Sequence, residues 1–402
     1  MIHPTTCIQH EDPCKIKGLY GHVCENPVGP DQISIYNQDT LFLTQCPQNS
    51  LYCDIQQIVP KKWAHSKNLK ESSSCKDPEL NLLEVINEGT VLTESAAGGW
   101  VQNVLKKVLT AHEQIAPDTA TSLLTRLNDP TSPSLAYGFP QPFDTRPETQ
   151  SMFIITPTKK EPNRAQRIGR NLFEIKKQVR DNLLQCKFRH KDSTVKCRNL
   201  VWVLAESMAE VDHEVVEMLK CAQVPFVYFA VGANSPETAA KNALVQFVVE
   251  FANSLGFKGL LRPLSEGSYA LARSYDLAYK VNKFGYLPVW GVGGKADAVD
   301  FVAKKNGQVT VTAARLPKRK FPLEFSGMVI NTGMFDKTFM KGDSKYWPYP
   351  GEKVGNDDSG ISEFVGTVIT SVQDIEETCK DKCQVVFNEP PVDKSYPMIL
   401  AC

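Results

Sequence analysis

The sequence carries no surplus of charge. Lysine and arginine together number 45, and so do aspartate and glutamate. A balanced chain has no general attraction for nucleic acid or an anionic membrane, so neither is expected as a partner. No apolar run approaches the roughly 20 residues needed to cross a bilayer, so no membrane span is expected. Cys-x-x-Cys is absent, and the seven histidines are scattered rather than set at ligand spacing. Both absences argue against structural zinc. There is no Gly-x-Ser-x-Gly elbow and no His-Glu-x-x-His. Gly291-Val292-Gly293-Gly294 is not followed by Gly-Lys-Ser/Thr, so it is not a phosphate loop. Asn-x-Ser/Thr acceptors, internal repeats and low-complexity tracts are missing too. The start, MIHPTTC, lacks the apolar core of a signal peptide.

Cysteine, by contrast, is plentiful. Six of the twelve lie near the start, at Cys7, Cys14, Cys24, Cys46, Cys53 and Cys75. Even in number and widely spaced, they favour disulfides and a secretory or extracellular setting. A processed form with a supplied Met reconciles them with the missing leader; free thiols are the alternative. Residues 1–78 therefore read as a small disulfide-rich module, its cysteines pairing among themselves because its own core is thin. Cys379 and Cys383, four apart, read as structural half-cystines before a redox pair.

Residues 79–150 read as a helical stem and a Pro-rich linker. Trp100, Val101, Val104, Leu105, Val108 and Leu109 form an apolar face at helical spacing. A homodimer with that face as its seam is an expectation. Asp129 to Gln150 carries five prolines and reads as a linker or an extended surface arm. From Ser151 the texture changes. Met152 to Thr156, Leu200 to Ala205 and Pro225 to Val231 are buried-type strands. Amphipathic helices fall between them, one marked by Ile168, Leu172, Ile175, Val179 and Leu183. Such alternation predicts an α/β fold with a mostly parallel sheet and flanking helices over 151–402.

Gly259 to Gly294 organises this half: strand, acidic turn, helix, strand, glycine turn. A carboxylate on the turn after a strand stands at the open end of an α/β sheet, where ligands bind. On these residues alone Glu266 is either such a group or a solvated turn residue.

Several landmarks arrive in a recognisable order. They are Met152 to Thr158, Leu200 to Ser207, Lys241-Asn242, Leu264 to Tyr269, Pro288 to Gly294, Phe321 to Asn331, Asp357 to Ser359 and Val385 to Phe387. Together they resemble glycosyltransferase family 43, the β-1,3-glucuronyltransferases, over residues 151–393. The resemblance implies a GT-A nucleotide-sugar-transferase-like domain and inverting transfer from a UDP-sugar. In that chemistry Mn²⁺ neutralises the diphosphate and a carboxylate deprotonates the acceptor hydroxyl.

Carried over by position, the resemblance puts the donor nucleotide at Thr156, Pro157, Thr158, Ser207, Lys241, Ser265 and Phe387. Glu266 falls at the metal position and Asp358 at the base. Arg319 and Glu324 fall on the acceptor side. The departures share a direction. Ser207 stands for the uracil-contacting Asp, Pro236 and Lys241 for two phosphate arginines, and Leu264-Ser265-Glu266 for the Asp triplet. Phe387-Asn388-Glu389 stands for the His-x-Arg that closes on the diphosphate. Glu389 would oppose a diphosphate, and the apolar substitutions favour a less polar ligand.

The expected function is a secreted protein on a glucuronyltransferase-like scaffold. Its donor and metal site is degenerate, and its cleft binds or transforms a less polar small molecule or a glycan. Mn²⁺ and a UDP-sugar enter only if transfer survives, with Glu266 holding metal and Asp358 as base. An active transferase is thus one alternative, and a structural extracellular interaction protein is another.

Overall fold

The computed structural model describes residues 91–388, apart from 93, 113, 130, 141–142, 145–148, 162–163, 189–196, 234, 236, 257–258, 293–297, 315–318, 336–359 and 380–382. The cysteine-rich module at 1–78, the lead-in to residue 90, and Pro236, Asp358 and Glu389 lie outside the described residues.

The first elements are β1 (Val91–Leu92), α1 (Glu94–Ala111), α2 (Pro117–Thr125), β2 (Leu135–Gly138) and β3 (Phe143–Asp144). Val101, Val104, Leu105, Val108 and Leu109 of α1 are all buried by the chain itself, and Trp100 alone of that stripe stays exposed. The face read as a dimer seam is therefore an intramolecular seam.

Strands and helices then alternate. They are β4 (Gln150–Thr158), α3 (Arg164–Phe188), β5 (Arg198–Glu206), α4 (His213–Cys221), β6 (Phe226–Ala230), α5 (Glu237–Leu255) and β7 (Gly259–Pro263). Every residue of β6 and β7 is buried, as expected of strands covered on both faces. Asp212 caps α4 by accepting from the Glu214 amide, which satisfies one of the orphan donors of the first turn. α1 packs on α5, so the stretch read as a stem belongs to the outer helical layer.

β5 and β7 flank β4, both parallel to it, and β6 lies parallel beyond β5. The chain thus winds outward through β5 and β6, then returns across β4 to lay down β7. That reversal makes the carboxyl ends of β4 and β7 the topological switch point, the crevice at which open α/β sheets bind ligands.

The remaining elements are β8 (Tyr269–Ala270), α6 (Ala272–Ala278), β9 (Phe284–Tyr286), β10 (Val289–Trp290), β11 (Val299–Lys305), β12 (Gln308–Thr312), β13 (Met328–Asn331), α7 (Ile361–Val368), β14 (Glu376–Glu377) and β15 (Val386–Phe387). β13 lies antiparallel between β7 and β9, and β14 adds parallel to β9. The main sheet runs β14-β9-β13-β7-β4-β5-β6-β2, and a smaller sheet runs β12-β11-β10-β15-β8. The fold is α/β with mixed sheets. β2 pairs antiparallel with β6, so a boundary at residue 150 falls inside the main sheet. The arm with five prolines supplies an edge strand, whose own four residues, Leu135 to Gly138, include none of them.

Between the main sheet and α5, Phe251 meets Phe143, Phe153 and Phe247 at centroid distances of 6.0, 5.8 and 5.8 Å. β11 and β12 are joined through Asn306 and Gly307, both at positive φ, the geometry that a two-residue hairpin turn demands. Cys379 and Cys383 are bonded to each other. Among the described residues no helix is long and apolar enough to cross a membrane.

Candidate functional site

The candidate site gathers residues from the ends of β4 and β7 and the first turns of α3. Glu266 follows β7, and its side chain is only 10% exposed. It is therefore not a solvated turn residue. Its Oε1 accepts from Arg167 Nε at 2.7 Å and Nη2 at 2.5 Å. Its Oε2 accepts from Thr158 Oγ1 at 2.5 Å. Both carboxylate oxygens are engaged, and the cation beside them belongs to the chain. Arg167 also reaches Glu161 at 3.3 Å.

Next to Glu266 lies a cluster of serine hydroxyls. Ser265 binds Ser326 twice, through its amide at 3.0 Å and its hydroxyl at 2.8 Å. Ser326 donates to Ser268 at 2.7 Å, and Ser268 reaches Asn388 Oδ1 at 3.0 Å. Asn388 is held by its own amide, which donates to the Trp290 carbonyl at 2.7 Å. Phe387 pairs across β15 with Tyr269 and Trp290, so it stands beside this cluster. Arg170 and Asn171 donate to the carbonyls of Gly267 and Ser268, which fixes the turn on which Glu266 sits.

A second group of charges lies across β4. Glu206 ends β5, opposite Thr158 in register, and is 1% exposed. Arg164 Nη1 donates to its Oε2 at 2.5 Å, the Tyr228 hydroxyl donates to the same oxygen, and Arg164 also pairs with Asp212. Glu206 Oε1 is buried without a hydrogen-bond partner among the described residues. Burial pushes the Glu206 carboxyl above its ordinary range, and the hydrogen bonds and the Arg164 charge offset only part of that. Burial and the facing Glu206 carboxylate both push the Tyr228 hydroxyl up, so it stays a donor. Glu206 and Arg164 form part of the wall of a cleft of about 400 Å³.

The expected site residues divide accordingly. Thr158, Ser265, Glu266 and Phe387 come together at the crevice. Pro157 sits beside them, half-buried on β4. Thr156 is buried behind them, donating to the Leu264 carbonyl at 2.8 Å and accepting from Trp202 Nε1 at 3.0 Å. It clamps three strands and does not face the crevice. Ser207 donates its amide to the Thr158 carbonyl at 3.2 Å. Lys241 lies on α5 with its Nζ 5.7 Å from the Phe325 ring. Arg319 and Glu324 are half-buried on the segment leading into β13. Leu264 is fully buried in the core, so its apolar side chain adds to packing and lines no cleft.

The described residues do not suit Mn²⁺. No three of their His, Cys, Asp or Glu side chains gather closely enough to hold a metal ion, and the carboxylate at the expected position is already neutralised by Arg167. No family model matches the chain, and no curated protein matches it.

Sequence reading overlooked Arg164, Arg167, Ser268, Ser326 and Glu206. One signal was present. Arg164, Arg167, Asn171, Glu174, Gln178 and Asn182 recur three or four apart along α3. Asn171, Glu174, Gln178 and Asn182 are all buried. A polar stripe running beside an apolar one marks a helix covered on two sides.

Proposed function

We propose that this protein is a secreted member of the glucuronyltransferase-like scaffolds in which metal-dependent sugar transfer has been lost, and that it binds a small molecule at the carboxyl end of its sheet. The observation that carries this reading is the Glu266–Arg167 pair. A diphosphate leaving group brings about two negative charges and needs a local surplus of positive charge to meet them. Here the arginine is spent on Glu266 and Glu161, and with Lys159 on Glu161 the four charges sum to zero. The neighbouring serines and Asn388 satisfy one another, so few polar groups are held open for phosphate oxygens. The strand order with its reversal at β4 and the ordered landmarks of the sequence support the GT-A reading. Cysteine abundance and the Cys379–Cys383 bond support secretion.

Calorimetric titration of the purified protein with UDP and Mn²⁺ tests the proposal. No heat of binding is expected up to millimolar nucleotide. Micromolar binding that disappears in Glu266→Ala would show that the metal-dependent donor site survives.

A further inference from the structure

We propose that the cleft beyond the carboxyl ends of β4 and β5 is a binding site for a small organic amine, with the ammonium group at Glu206 and an apolar body against α4. The site stands independently of the reading of Glu266. Three observations converge on it. The first is Glu206, which lines the cleft and whose buried Oε1 has no hydrogen-bond partner among the described residues. A buried acceptor without a donor costs about 1–3 kcal/mol, and a ligand donor recovers that. The second is charge. Four carboxylates line the cleft, Glu206, Glu210, Asp212 and Glu217, against the three cations Arg164, Lys160 and Lys220, so the lining keeps one negative charge uncancelled. Such a lining attracts a cation and repels a phosphate or carboxylate.

The third is the wall. Pro133, Met208, Val211 and Val216 line the same cleft; Pro133 and Met208 are half-buried and supply its open apolar surface, while Val211 and Val216 are buried. A bare inorganic cation would leave that surface wet. A compact hydrocarbon or aromatic body would cover it, gaining roughly 25 cal/mol for each Å² removed from water. The volume of about 400 Å³ is within the range of small-molecule pockets. The cleft also lies beyond the carboxyl ends of parallel strands, where this architecture places its ligands. An ammonium beside Glu206 favours the ionised carboxylate that burial disfavours, so ligand and site each supply what the other lacks.

The test is calorimetric titration of the full chain with 2-phenylethylamine, and with 2-phenylethanol as the neutral isostere. The amine should bind at least about tenfold more tightly than the alcohol, a difference of roughly 1.4 kcal/mol. Glu206→Gln should remove that preference. Because Glu206 also receives Arg164 and Tyr228, the variant must first be checked for cooperative unfolding. Met208→Lys, at a half-buried position, is the second variant. It places a cation in the cleft and should abolish amine binding. Three results would each overturn the proposal. They are equal binding of amine and alcohol, no amine binding up to about 10 mM (weaker than about 3 kcal/mol), and amine binding undiminished in a folded variant.

Discussion

The Arg167–Glu266 pair can be weighed by a double-mutant cycle. The perturbations are Arg167→Ala, Glu266→Ala and both together. Glu266 is 10% exposed and Arg167 23%, so the pair lies between two known regimes. Exposed ion pairs are worth about 0–1 kcal/mol, while breaking a fully buried one costs about 3–5 kcal/mol. Arg167→Ala removes two charged hydrogen bonds, at 2.7 and 2.5 Å, and leaves Glu266 held by Thr158. Partial exposure lets water re-solvate the carboxylate. The expected loss is therefore about 2 kcal/mol, with a coupling energy of roughly 1–2 kcal/mol between the two sites. Urea unfolding of the four proteins measures it, since a changed midpoint at constant slope reports stability alone. A coupling below about 0.3 kcal/mol, within the scatter of independent sites, would mean that Glu266 is not held by Arg167. The carboxylate would then be free for a metal. Mn²⁺ offers the complementary measurement. A ligand at 100 times its dissociation constant stabilises by about 2.7 kcal/mol, so millimolar Mn²⁺ should leave the wild-type melting temperature unchanged. A rise that Glu266→Ala abolishes would refute the argument.

Three other substitutions test the packing around the site. Phe251→Ala removes a ring in contact with three others and should cost about 3–5 kcal/mol; a loss under about 1 kcal/mol would mean that the aromatic cluster is loosely packed. Gly291 sits at φ +76°, and a Cβ there would lie 2.7 Å from the Asn388 carbonyl oxygen. Gly291→Ala should destabilise by about 2 kcal/mol and displace Asn388, which amide exchange at Asn388 would reveal; unchanged exchange counts against the contact. Glu174 is buried and accepts from the Tyr269 hydroxyl at 3.0 Å, and burial raises its carboxyl above the ordinary 4.5. Its contribution to stability is present below that value and is lost as pH rises through the raised one. Glu174→Gln should therefore gain on the wild type as pH climbs from 4 toward 8; parallel curves would show that Glu174 is not shifted.

The sheet was legible because its central strands are continuous apolar runs bounded by turns. Met152 to Thr156, Leu200 to Ala205 and Pro225 to Val231 fall inside or across β4, β5 and β6. The edge strand β2 was not legible. Its four residues lie among five prolines, and only pairing with β6 makes them a strand, a tertiary effect that local propensity does not carry. The candidate site shows the same division. Glu266 could be singled out because a strand followed by an acidic turn is a local pattern. Its partner could not, because Arg167 lies 99 residues earlier in the chain and meets it only through the crossover that packs α3 on the sheet.

That crossover brings one physical device to bear twice. Arg164 and Arg167 are three apart at the start of α3, so they share one side of the helix. One reaches Glu206 and the other Glu266, on either side of Thr158. Each guanidinium brings a single positive charge and up to five fixed donors. It can neutralise one carboxylate and hold its geometry, but it cannot offer the surplus that a divalent ion brings to an anionic ligand. At Glu266 the sum is zero once Glu161, which Arg167 also reaches, is set against its partner Lys159. At Glu206 the nearby Asp212 makes it negative. Neither end of this surface then favours a diphosphate, and the more negative end is also the one with an open cleft and an unpartnered oxygen. Both arginines are turned inward onto carboxylates, and what remains at either end disfavours an anionic ligand relative to a neutral or cationic one.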